Sequence, residues 1–306
     1  MPQLVLTGEI VLDILFKNKL VIKALPGGSM LNTAVSLARA GNAPQFCGVT
    51  GQDEAGRYIK DFLESQGVKT ALIRQIPGQL TPVTLGWLDD HNNAAYTFHK
   101  PPLPSPAVQP AIPALRSNDL LAAGSFFAVD PLRQPLMETL RRQLADCRCL
   151  FYYDLNFRKN HLDRLGEVMP HLRANLQAAG IIKGSEEDFR LVFGHDSPEA
   201  IRVLIPGGTE KVLVVTAGDR QVDFLYRDIR LTLPVEKIRP LSTVGAGDGF
   251  NAGFIHALRG MYKGRECIET WDRSQWEGCI RSGMAFAKAV CASEENYIPS
   301  GFLAEQ

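Results

Sequence analysis

A glycine-rich turn in the last quarter of the chain carries the residues best suited to chemistry. Residues 242–253 read STVGAGDGFNAG and run directly into an amphipathic stretch of helical period. Glycines allow the N–H groups of Gly245, Ala246 and Gly247 to converge on one point, and a helix start adds a partial positive charge of ~0.5. Asp248 stands at the same place, so a carboxylate that can accept a proton would lie beside an anion site.

Three other interpretations of this turn stay open. Asp248 could serve only as the N-cap of a helix that follows a tight turn. Residues 247–252 also fit the G-x-G-x-x-A of a dinucleotide site, and residues 245–249 fit the G-x-G-x-G of a nucleotide or methyl-donor site. Both motifs need a buried strand immediately upstream and an acidic residue on the next strand. The preceding KIRP at 237–240 and the short remaining chain fit that requirement poorly.

A second diglycine turn begins another predicted helix near the N-terminus. Gly27 and Gly28 follow Pro26, and Asn32 falls on the first turn of that helix. The side-chain amide of Asn32 can both donate to and accept from a polyol. Asp13 lies among apolar neighbours in a predicted strand, where a carboxylate needs solvent or a hydroxylated ligand. A helix N-terminus packed closely under a strand would also explain the glycines.

Polar or small residues follow three predicted strands. They are Asp154, Asn156 and Arg158 after the first strand, Lys183, Ser185 and Asp188 after the second, and Thr216 and Gly218 after the third. Ligands of open α/β sheets bind beyond the carboxyl ends of the strands, so these positions suit a substrate or phosphate. An Asp154–Arg158 ion pair and a helix cap by Ser185 are the structural alternatives. The chain contains no Walker A sequence, so a phosphate would need another cradle.

The elements that must position these residues alternate along the chain. Short β-branched or aromatic runs are separated by segments of helical period, which indicates an α/β protein with a parallel sheet covered by helices. We predict strands at 4–6, 45–49, 120–123, 149–153, 180–182 and 211–215, and helices at 29–40, 54–65, 130–144, 248–258 and 276–292.

Two stretches break this alternation. Residues 10–16 with 20–24, and 83–88 with 95–99, predict four consecutive β segments, and DHNN at 90–93 supplies a turn. A small antiparallel sheet inserted into the body explains both pairs, and a proline-rich connection at 101–113 leads back to the body. We therefore predict one α/β domain over residues 1–306, with a lid formed by about 10–25 and 82–100.

Composition argues against several classes of protein without excluding them. The chain has 306 residues and 33 basic against 33 acidic side chains, so its formal charge is 0 and it lacks the charge footprint of a nucleic-acid or membrane-surface binder. The cysteines and histidines show no zinc-binding spacing. Scattered thiols, the absence of a basic leader and the absence of ~20 consecutive apolar residues predict a cytoplasmic protein with no membrane partner, no nucleic-acid partner and no metal-ligand set.

Taken in order, these segments resemble the ribokinase-like (PfkB) carbohydrate kinases across nearly the whole chain. The matching segments are Gly8-Glu9 with Asp13, the run from Gly27 to Gly41, Gly51-x-Asp53-x-x-Gly56, Asp154-x-Asn156-x-Arg158, Thr216-x-Gly218 and Gly245-Ala246-Gly247-Asp248. The resemblance implies a doubly wound, mostly parallel sheet with helices on both faces, a small β lid, and transfer of the γ-phosphoryl group of ATP to a sugar hydroxyl.

The same resemblance implies a role for each candidate residue. Asp248 would be the catalytic base, and the N–H groups of Gly245, Ala246 and Gly247 would form the anion hole. The residues implied for the sugar are Asp13, Gly27, Gly28, Asn32 and Arg158. The residues implied for ATP are Lys183, Ser185, Asp188, Thr216 and Gly218. Mg²⁺ would be held mainly by phosphates and water.

Four positions depart from the family pattern. Ser242 replaces an aspartate that is tied to a monovalent-cation site, which leaves activation by K⁺ open. Ser185-x-x-Asp188 replaces Asn-x-x-Glu, Gln221 replaces a glycine, and Leu155 replaces a proline. None of these changes removes the expected base or anion hole, so we expect a kinase. A sugar-binding regulator that has lost phosphoryl transfer is the alternative that the departures suggest.

Fructose is the predicted acceptor, because Gly8-Glu9 and residues 154–158 are most similar to fructokinases. Ribose, 2-keto-3-deoxygluconate and nucleosides stay open as acceptors. Specificity is expected in lid residues such as Trp87, Tyr96 and Phe98.

One alternating apolar face of the lid has two interpretations. Val83, Leu85 and Trp87 would either cover the active site or contact a second copy of the chain. We expect a homodimer formed through this face.

Overall fold

The computed structural model describes residues 2–89, 94–99, 101 and 109–305. The strands are β1 Leu4–Thr7, β2 Val11–Lys17, β3 Leu20–Gly27, β4 Gln45–Gly51, β5 Ile73–Ile76, β6 Val83–Leu88, β7 Ala94–His99, β8 Leu120–Gly124, β9 Leu150–Asp154, β10 Ile181–Ser185, β11 Val212–Thr216, β12 Gln221–Tyr226 and β13 Ile229–Pro234. The α-helices are α1 Ser29–Arg39, α2 Glu54–Ser65, α3 Gln134–Cys147, α4 Leu165–Ala178, α5 Glu186–Phe193, α6 Pro198–Leu204, α7 Ala246–Met261 and α8 Arg273–Cys291. Short 3₁₀ helices occur at Phe126–Ala128, Pro131–Arg133, Lys159–Arg164, Gly208–Glu210, Arg265–Thr270 and Phe302–Glu305.

The chain divides into two compact units. Unit 1 contains Met1–Val5, Ala114–Ile238 and Phe254–Met284. Unit 2 contains Leu6–Pro113, Arg239–Gly253 and Ala285–Gln306. Whether these two units form the single domain predicted over residues 1–306 is not tested by this division, so the single domain stays a prediction.

Unit 1 is built on strands that adjoin in the order β13-β12-β11-β10-β9-β8. Neighbouring strands from β8 to β11 are parallel, and β11, β12 and β13 are antiparallel. Continuous buried runs such as LLAAG in β8 and LFYYD in β9 are typical of parallel strands with both faces covered. The core of this unit includes an aromatic cluster, which consists of Phe224, Tyr226, Phe254, Trp271 and Trp276.

Unit 2 contains parallel strands β4 and β5 and a separate small sheet in the order β3-β2-β6-β7. Strands β2 and β3 form a hairpin whose two loop residues, Asn18 and Lys19, have φ of 50° and 64°. Positive φ at both positions matches the twist of a two-residue hairpin. Strands β2 and β6 pair in parallel, so the small sheet joins two antiparallel hairpins by a parallel contact. This parallel pairing is possible because a long crossover separates the two strands.

The structure confirms the predicted α/β class, with a large, mostly parallel sheet flanked by helices. The hairpin of β12 and β13 was not predicted, although the alternation of Val222 with Phe224 and of Leu231 with Leu233 is a strand signal. The turn predicted at 90–93 and residues 102–108 of the proline-rich connection lie outside the described residues. No helix in the described ranges is long and apolar enough to cross a membrane.

The predicted start of one helix is wrong by two residues. Helix α7 begins at Ala246, so Asp248 is its third residue and not its first. Gly245 ends the preceding turn with a φ of 82°, which leaves Ala246 free to begin the helix. A carboxylate in the first turn is still favourable, because it lies near the positive end of the helix dipole.

The motif Gly51-x-Asp53-x-x-Gly56 has a structural role in unit 2. Asp53 is the N-cap of α2 and accepts a hydrogen bond from the N–H of Gly56 at 2.8 Å. The same carboxylate accepts from the N–H of Thr81 at 2.8 Å and from its hydroxyl at 2.5 Å. Thr81 lies two residues before β6, so Asp53 joins the start of α2 to the segment that leads into the small sheet.

Replacement of Asp53 by alanine should lower the free energy of unfolding by about 1–2 kcal/mol, the usual value of an N-cap. Burial opposes ionisation of Asp53, but the hydrogen bonds from Thr81 and Gly56 hold its pKa below the ordinary value. A lowered folded-state pKa gives stability that is present above the ordinary pKa of aspartate and is lost as pH falls through the folded-state value. Urea unfolding at neutral and acid pH measures both effects.

Asp61→Ala, at an exposed position of the same helix, is the control and should stay within about 0.5 kcal/mol of the parent. Equal effects of the two substitutions would show that the Asp53 carboxylate does not act as described.

Candidate active site

The carboxylate of Asp248 is fixed by two donors from α1. The hydroxyl of Ser29 donates to Oδ1 at 2.5 Å, and Nδ2 of Asn32 donates to Oδ2 at 2.9 Å. The hydroxyl of Thr33 lies 3.2 Å from the backbone carbonyl oxygen of Asp248. All four residues belong to unit 2, and the first turns of α1 and α7 therefore meet at this carboxylate. Such an arrangement can hold a general base in one orientation.

The diglycine turn brings Asp13 close to the start of α1. A Cβ placed on Gly27 would collide with Oδ2 of Asp13, so the carboxylate occupies the space next to the Gly27 backbone. Gly28 has a φ of 127°, and a Cβ there would collide with the carbonyl oxygen of Glu9. Glycine is thus required at both positions for this close approach. The structure brings together in unit 2 the predicted residues Asp13, Gly27, Gly28, Asn32 and Asp248.

Only one of the two polar atoms of the Asn32 side-chain amide is hydrogen-bonded within the described part of the protein. Its Nδ2 donates to Asp248, whereas its buried Oδ1 has no hydrogen-bond partner within the described part of the chain. A buried acceptor without a donor is unfavourable. This oxygen can accept a hydrogen bond from a ligand hydroxyl.

The glycine turn before α7 presents backbone N–H groups. The N–H of Ala246 donates to the carbonyl oxygen of Thr243 at 3.3 Å. Among the described residues, the N–H of Gly247 in the first helical turn has no acceptor. First-turn N–H groups are where helices bind anions, so Gly247 suits the predicted anion hole better than Ala246 does.

A segment near the C-terminus supports this turn from behind. A Cβ on Gly245 would collide with the carbonyl oxygen of Asn296. The segment is attached to α1, because Arg39 donates to Glu295 at 2.6 Å and to the carbonyl oxygen of Ile298 at 2.8 Å. The guanidinium of Arg39 also lies 4.6 Å from the ring centre of Tyr297. One end of α1 therefore holds the carboxylate of Asp248, and the other end holds the support of the glycine turn.

The polar residues of unit 1 form a buried ion pair. The Nζ of Lys183 in β10 lies 3.1 Å from Oδ1 of Asp154 at the end of β9, and their side chains are 5% and 1% exposed. The alternative of an Asp154–Arg158 pair is wrong, because Arg158 is exposed and Asp154 pairs with Lys183. The neighbouring strands β9 and β10 place Lys183 opposite Asp154 in register. A role of Lys183 in binding phosphate stays a prediction.

The residues that follow β10 and β11 have local structural roles. Ser185 and Asp188 form a reciprocal capping box at the start of α5, which confirms the cap predicted for Ser185. Burial and the neighbouring Asp154 raise the pKa of Asp188 above its usual value. The hydroxyl of Thr216 lies 3.5 Å from the carbonyl oxygen of Gly184, and Gly218 lies in the turn between β11 and β12. Their roles toward ATP stay predictions.

The strand register decides which lid residues share the face of Asp13. Asp13 is paired with Thr84, and Thr84 is paired with Phe98, so these side chains lie on one face of the small sheet. Alternation places Trp87 on the opposite face, where its ring stacks on Phe16 at 4.3 Å. Trp87 therefore does not share the face of Asp13, and its role in specificity stays a prediction. The side chain of Tyr96 lies outside the described residues.

Two residues that hold the parts of the candidate site together, Ser29 and Arg39, were not predicted from the sequence. A hydroxyl immediately after a diglycine turn was a usable signal for Ser29, since it stands in the first turn of α1. Arg39 carried no such signal, because its partners lie more than 250 positions away in the chain.

The cysteines and the possible metal-ligating side chains are scattered across the part of the chain that the structure describes. All six cysteines are free, and burial raises the pKa of Cys47 and Cys279 to about 12, which makes these thiols unreactive at neutral pH. No group of three or more His, Cys, Asp or Glu side chains in the described ranges could hold a metal ion.

Comparisons with known proteins show the family and the fold of the chain. The family model "pfkB family carbohydrate kinase" matches residues 19–300. A fructokinase of Vibrio alginolyticus is 27% identical over 262 residues, which cover 84% of each chain. The crystal structure of fructokinase from Vibrio cholerae O395 with fructose, ADP and calcium ion has a TM-score of 0.85 at 21% identity, covering 99% of this chain and 98% of that one.

Another similar structure is an enzyme named for a different acceptor. Aminoimidazole riboside kinase from Salmonella enterica, in complex with aminoimidazole riboside and an ATP analogue, has a TM-score of 0.80 at 20% identity and covers 98% of both chains. At these identities the two structures establish the fold alone.

Lys183→Met should destabilise the protein by about 3–5 kcal/mol, because it leaves the carboxylate of Asp154 buried without its cation. Urea unfolding measures the change. Lys60→Met is the matched control: Lys60 forms a largely exposed pair with Glu64 at 3.9 Å, and its loss should cost at most about 0.5 kcal/mol. A Lys183→Met protein as stable as the control would mean that the pair with Asp154 does not stabilise the fold.

Proposed function

Because the chain belongs to the pfkB family of carbohydrate kinases and is therefore a sugar kinase, we propose that it transfers the γ-phosphoryl group of ATP to a hydroxyl group of fructose. The observation that carries this proposal is the carboxylate of Asp248, which Ser29 and Asn32 hold at the start of a helix whose first turn offers a free N–H group. A general base and an anion site on one turn are what phosphoryl transfer to an alcohol requires.

In the proposed reaction Asp248 accepts the proton of the acceptor hydroxyl. A new bond forms between the hydroxyl oxygen and the γ-phosphorus, the bond from that phosphorus to the β-phosphate oxygen breaks, and ADP leaves with the electron pair. The N–H groups of the turn at Gly245–Gly247 stabilise the charge on the transferred group. Ser29 and Asn32 keep the carboxylate aimed, which contributes through positioning.

The sugar is proposed to bind in unit 2. Asp13 accepts hydrogen bonds from hydroxyl groups beside the Gly27 and Gly28 backbone, and the unpaired Oδ1 of Asn32 accepts another. Arg158 is also proposed to bind the substrate. Its exposed guanidinium has the charge to bind the phosphate of the product.

The nucleotide is proposed to use residues of unit 1. Thr216 and Gly218 would lie along ATP, and Lys183, Ser185 and Asp188 would serve its phosphates. Mg²⁺ is proposed as the metal ion, held mainly by phosphates and water, since this small cation keeps much of its hydration shell. Dependence on K⁺ stays open because Ser242 replaces the aspartate of the family pattern.

Fructose as the acceptor is supported by the fructokinase relatives and by the similarity of Gly8-Glu9 and residues 154–158 to fructokinases. Ribose, 2-keto-3-deoxygluconate and nucleosides are the competing acceptors, and a silent sugar-binding regulator is the competing function. The arrangement of Asp248 favours an enzyme, since a sensor needs no fixed carboxylate beside an anion site. A cytoplasmic location stays a prediction.

Asp248→Asn should lower kcat for sugar phosphorylation by at least ~10²-fold while sugar binding is retained, because the amide cannot accept the proton. A coupled ADP assay with fructose, ribose, 2-keto-3-deoxygluconate and aminoimidazole riboside measures turnover, and calorimetry measures binding. Fructose should give the highest kcat/KM.

Asp61→Asn is the control for this assay, since Asp61 is exposed on α2 and should leave kcat unchanged. Absence of turnover on every sugar, with sugar binding intact, would favour the regulator. Full activity of Asp248→Asn would exclude Asp248 as the base.

We also propose a homodimer through the face of the small sheet opposite Asp13. Trp87, which is 43% exposed, stacks on Phe16 on this face, and Val83 and Leu85 share the same alternation. A solvated aromatic stack with apolar neighbours favours a contact with a second copy.

Trp87→Glu should convert the dimer to a monomer, which light scattering after size exclusion measures. Tyr58→Glu is the matched control, because Tyr58 is 46% exposed on α2 and lies outside the small sheet. A parent protein that is monomeric across a wide range of concentrations would contradict the proposal.

A further inference from the structure

Thr84 occupies a position on the small sheet that directly adjoins Asp13. The parallel register of β2 and β6 pairs Asp13 with Thr84, and paired residues of neighbouring strands point to the same face. On this face the Asp13 carboxylate is next to Gly27 and hence to the start of α1. Thr84 therefore lies beside the carboxylate that is proposed to bind the sugar.

The hydroxyl of Thr84 is buried, and no other described residue binds it. Thr84 is 2% exposed, and its Oγ1 has no hydrogen-bond partner in the described ranges of the chain. A buried hydroxyl without a partner is unfavourable, and valine would fill the same space in a strand without that penalty. Thr84 thus has a hydroxyl group that no other described residue binds, and this group lies on the same face of the sheet as the Asp13 carboxylate.

We propose that Thr84 is a specificity residue whose hydroxyl binds the acceptor sugar next to Asp13. This inference rests on the proposed function. Neighbouring strands lie about 4.8 Å apart, so two adjacent polar side chains of one face can bind hydroxyl groups on adjacent carbons. Asp13 only accepts hydrogen bonds when ionised, whereas Thr84 both donates and accepts. The pair therefore selects a sugar with a vicinal diol and rejects the analogue that lacks one of those hydroxyl groups.

The rejection follows from burial. A deoxy analogue would leave the hydroxyl of Thr84 without a partner in the complex, and sites with unpaired buried polar groups discriminate strongly against such analogues. A purely structural threonine predicts no such discrimination, because valine or serine would then change stability and leave the choice of sugar unchanged.

The first test is steady-state kinetics of Thr84→Val. KM for the sugar should rise roughly tenfold, while KM for ATP stays within twofold, since a single neutral hydrogen bond is lost. The preference for the parent sugar over one of its single deoxy analogues should fall by a similar factor. Thr97→Val is the matched control, because Thr97 is exposed on β7 and is paired with Leu85 on the opposite face.

The second test is the thermal stability of the free protein. Thr84→Val should leave the Tm unchanged or raise it, because an unpaired buried hydroxyl is removed, while the Tm increase caused by saturating sugar should become smaller. A fall in the free-protein Tm together with an unchanged sugar response would assign Thr84 to the structure and overturn the proposal.

The outcomes separate this inference from the proposed function. Turnover by the parent protein with an unchanged KM in Thr84→Val would overturn the role of Thr84 and leave the kinase reaction intact. Use of an acceptor other than fructose would correct the function, and the same comparison would then be made with that acceptor and its deoxy analogues. A parent protein whose Tm responds to no sugar would overturn both.

Discussion

The structure of the proposed active site depends on the two hydrogen bonds that α1 donates to the carboxylate of Asp248. Ser29 and Asn32 come from one helix turn, and the carboxylate comes from the first turn of α7, some 216 positions later in the chain. An aspartate side chain at a helix start would otherwise turn back to cap its own N–H groups. Both oxygens of the Asp248 carboxylate accept hydrogen bonds from α1, so the side chain is held toward that helix.

This constraint explains why α1 is surrounded by glycines and by the C-terminal segment. Gly27 and Gly28 let the helix begin directly beside Asp13 and the backbone of Glu9, where any side chain would collide. At the other end, Arg39 holds the segment that supports Gly245. Movement of α1 would therefore displace the residues proposed to bind the sugar, the proposed base and the proposed anion hole together. A rigid connection of this kind suits a reaction in which the protein contributes mainly position and charge.

Unit 1 uses its polar residues differently. Lys183 and Asp154 neutralise each other inside the protein, and Ser185 and Asp188 satisfy the N-terminus of α5. All of these residues could be recognised in the sequence as polar residues at strand ends, but the sequence did not show which of them form an ion pair. The ion pair depends on the register of β9 and β10, which brings Lys183 opposite Asp154, whereas Arg158 is exposed.

The sequence alone determined the α/β class, the positions of most strands and helices, and the two glycine turns with Asp13, Asn32 and Asp248, because glycine, capping residues and hydrophobic period act over a few neighbouring positions. Only the tertiary structure decided that Ser29 orients Asp248, that Arg39 supports the glycine turn, and that Thr84 rather than Trp87 shares the face of Asp13. These facts depend on contacts between distant segments and on strand register, and a shift of one residue in register would exchange the two faces of a strand.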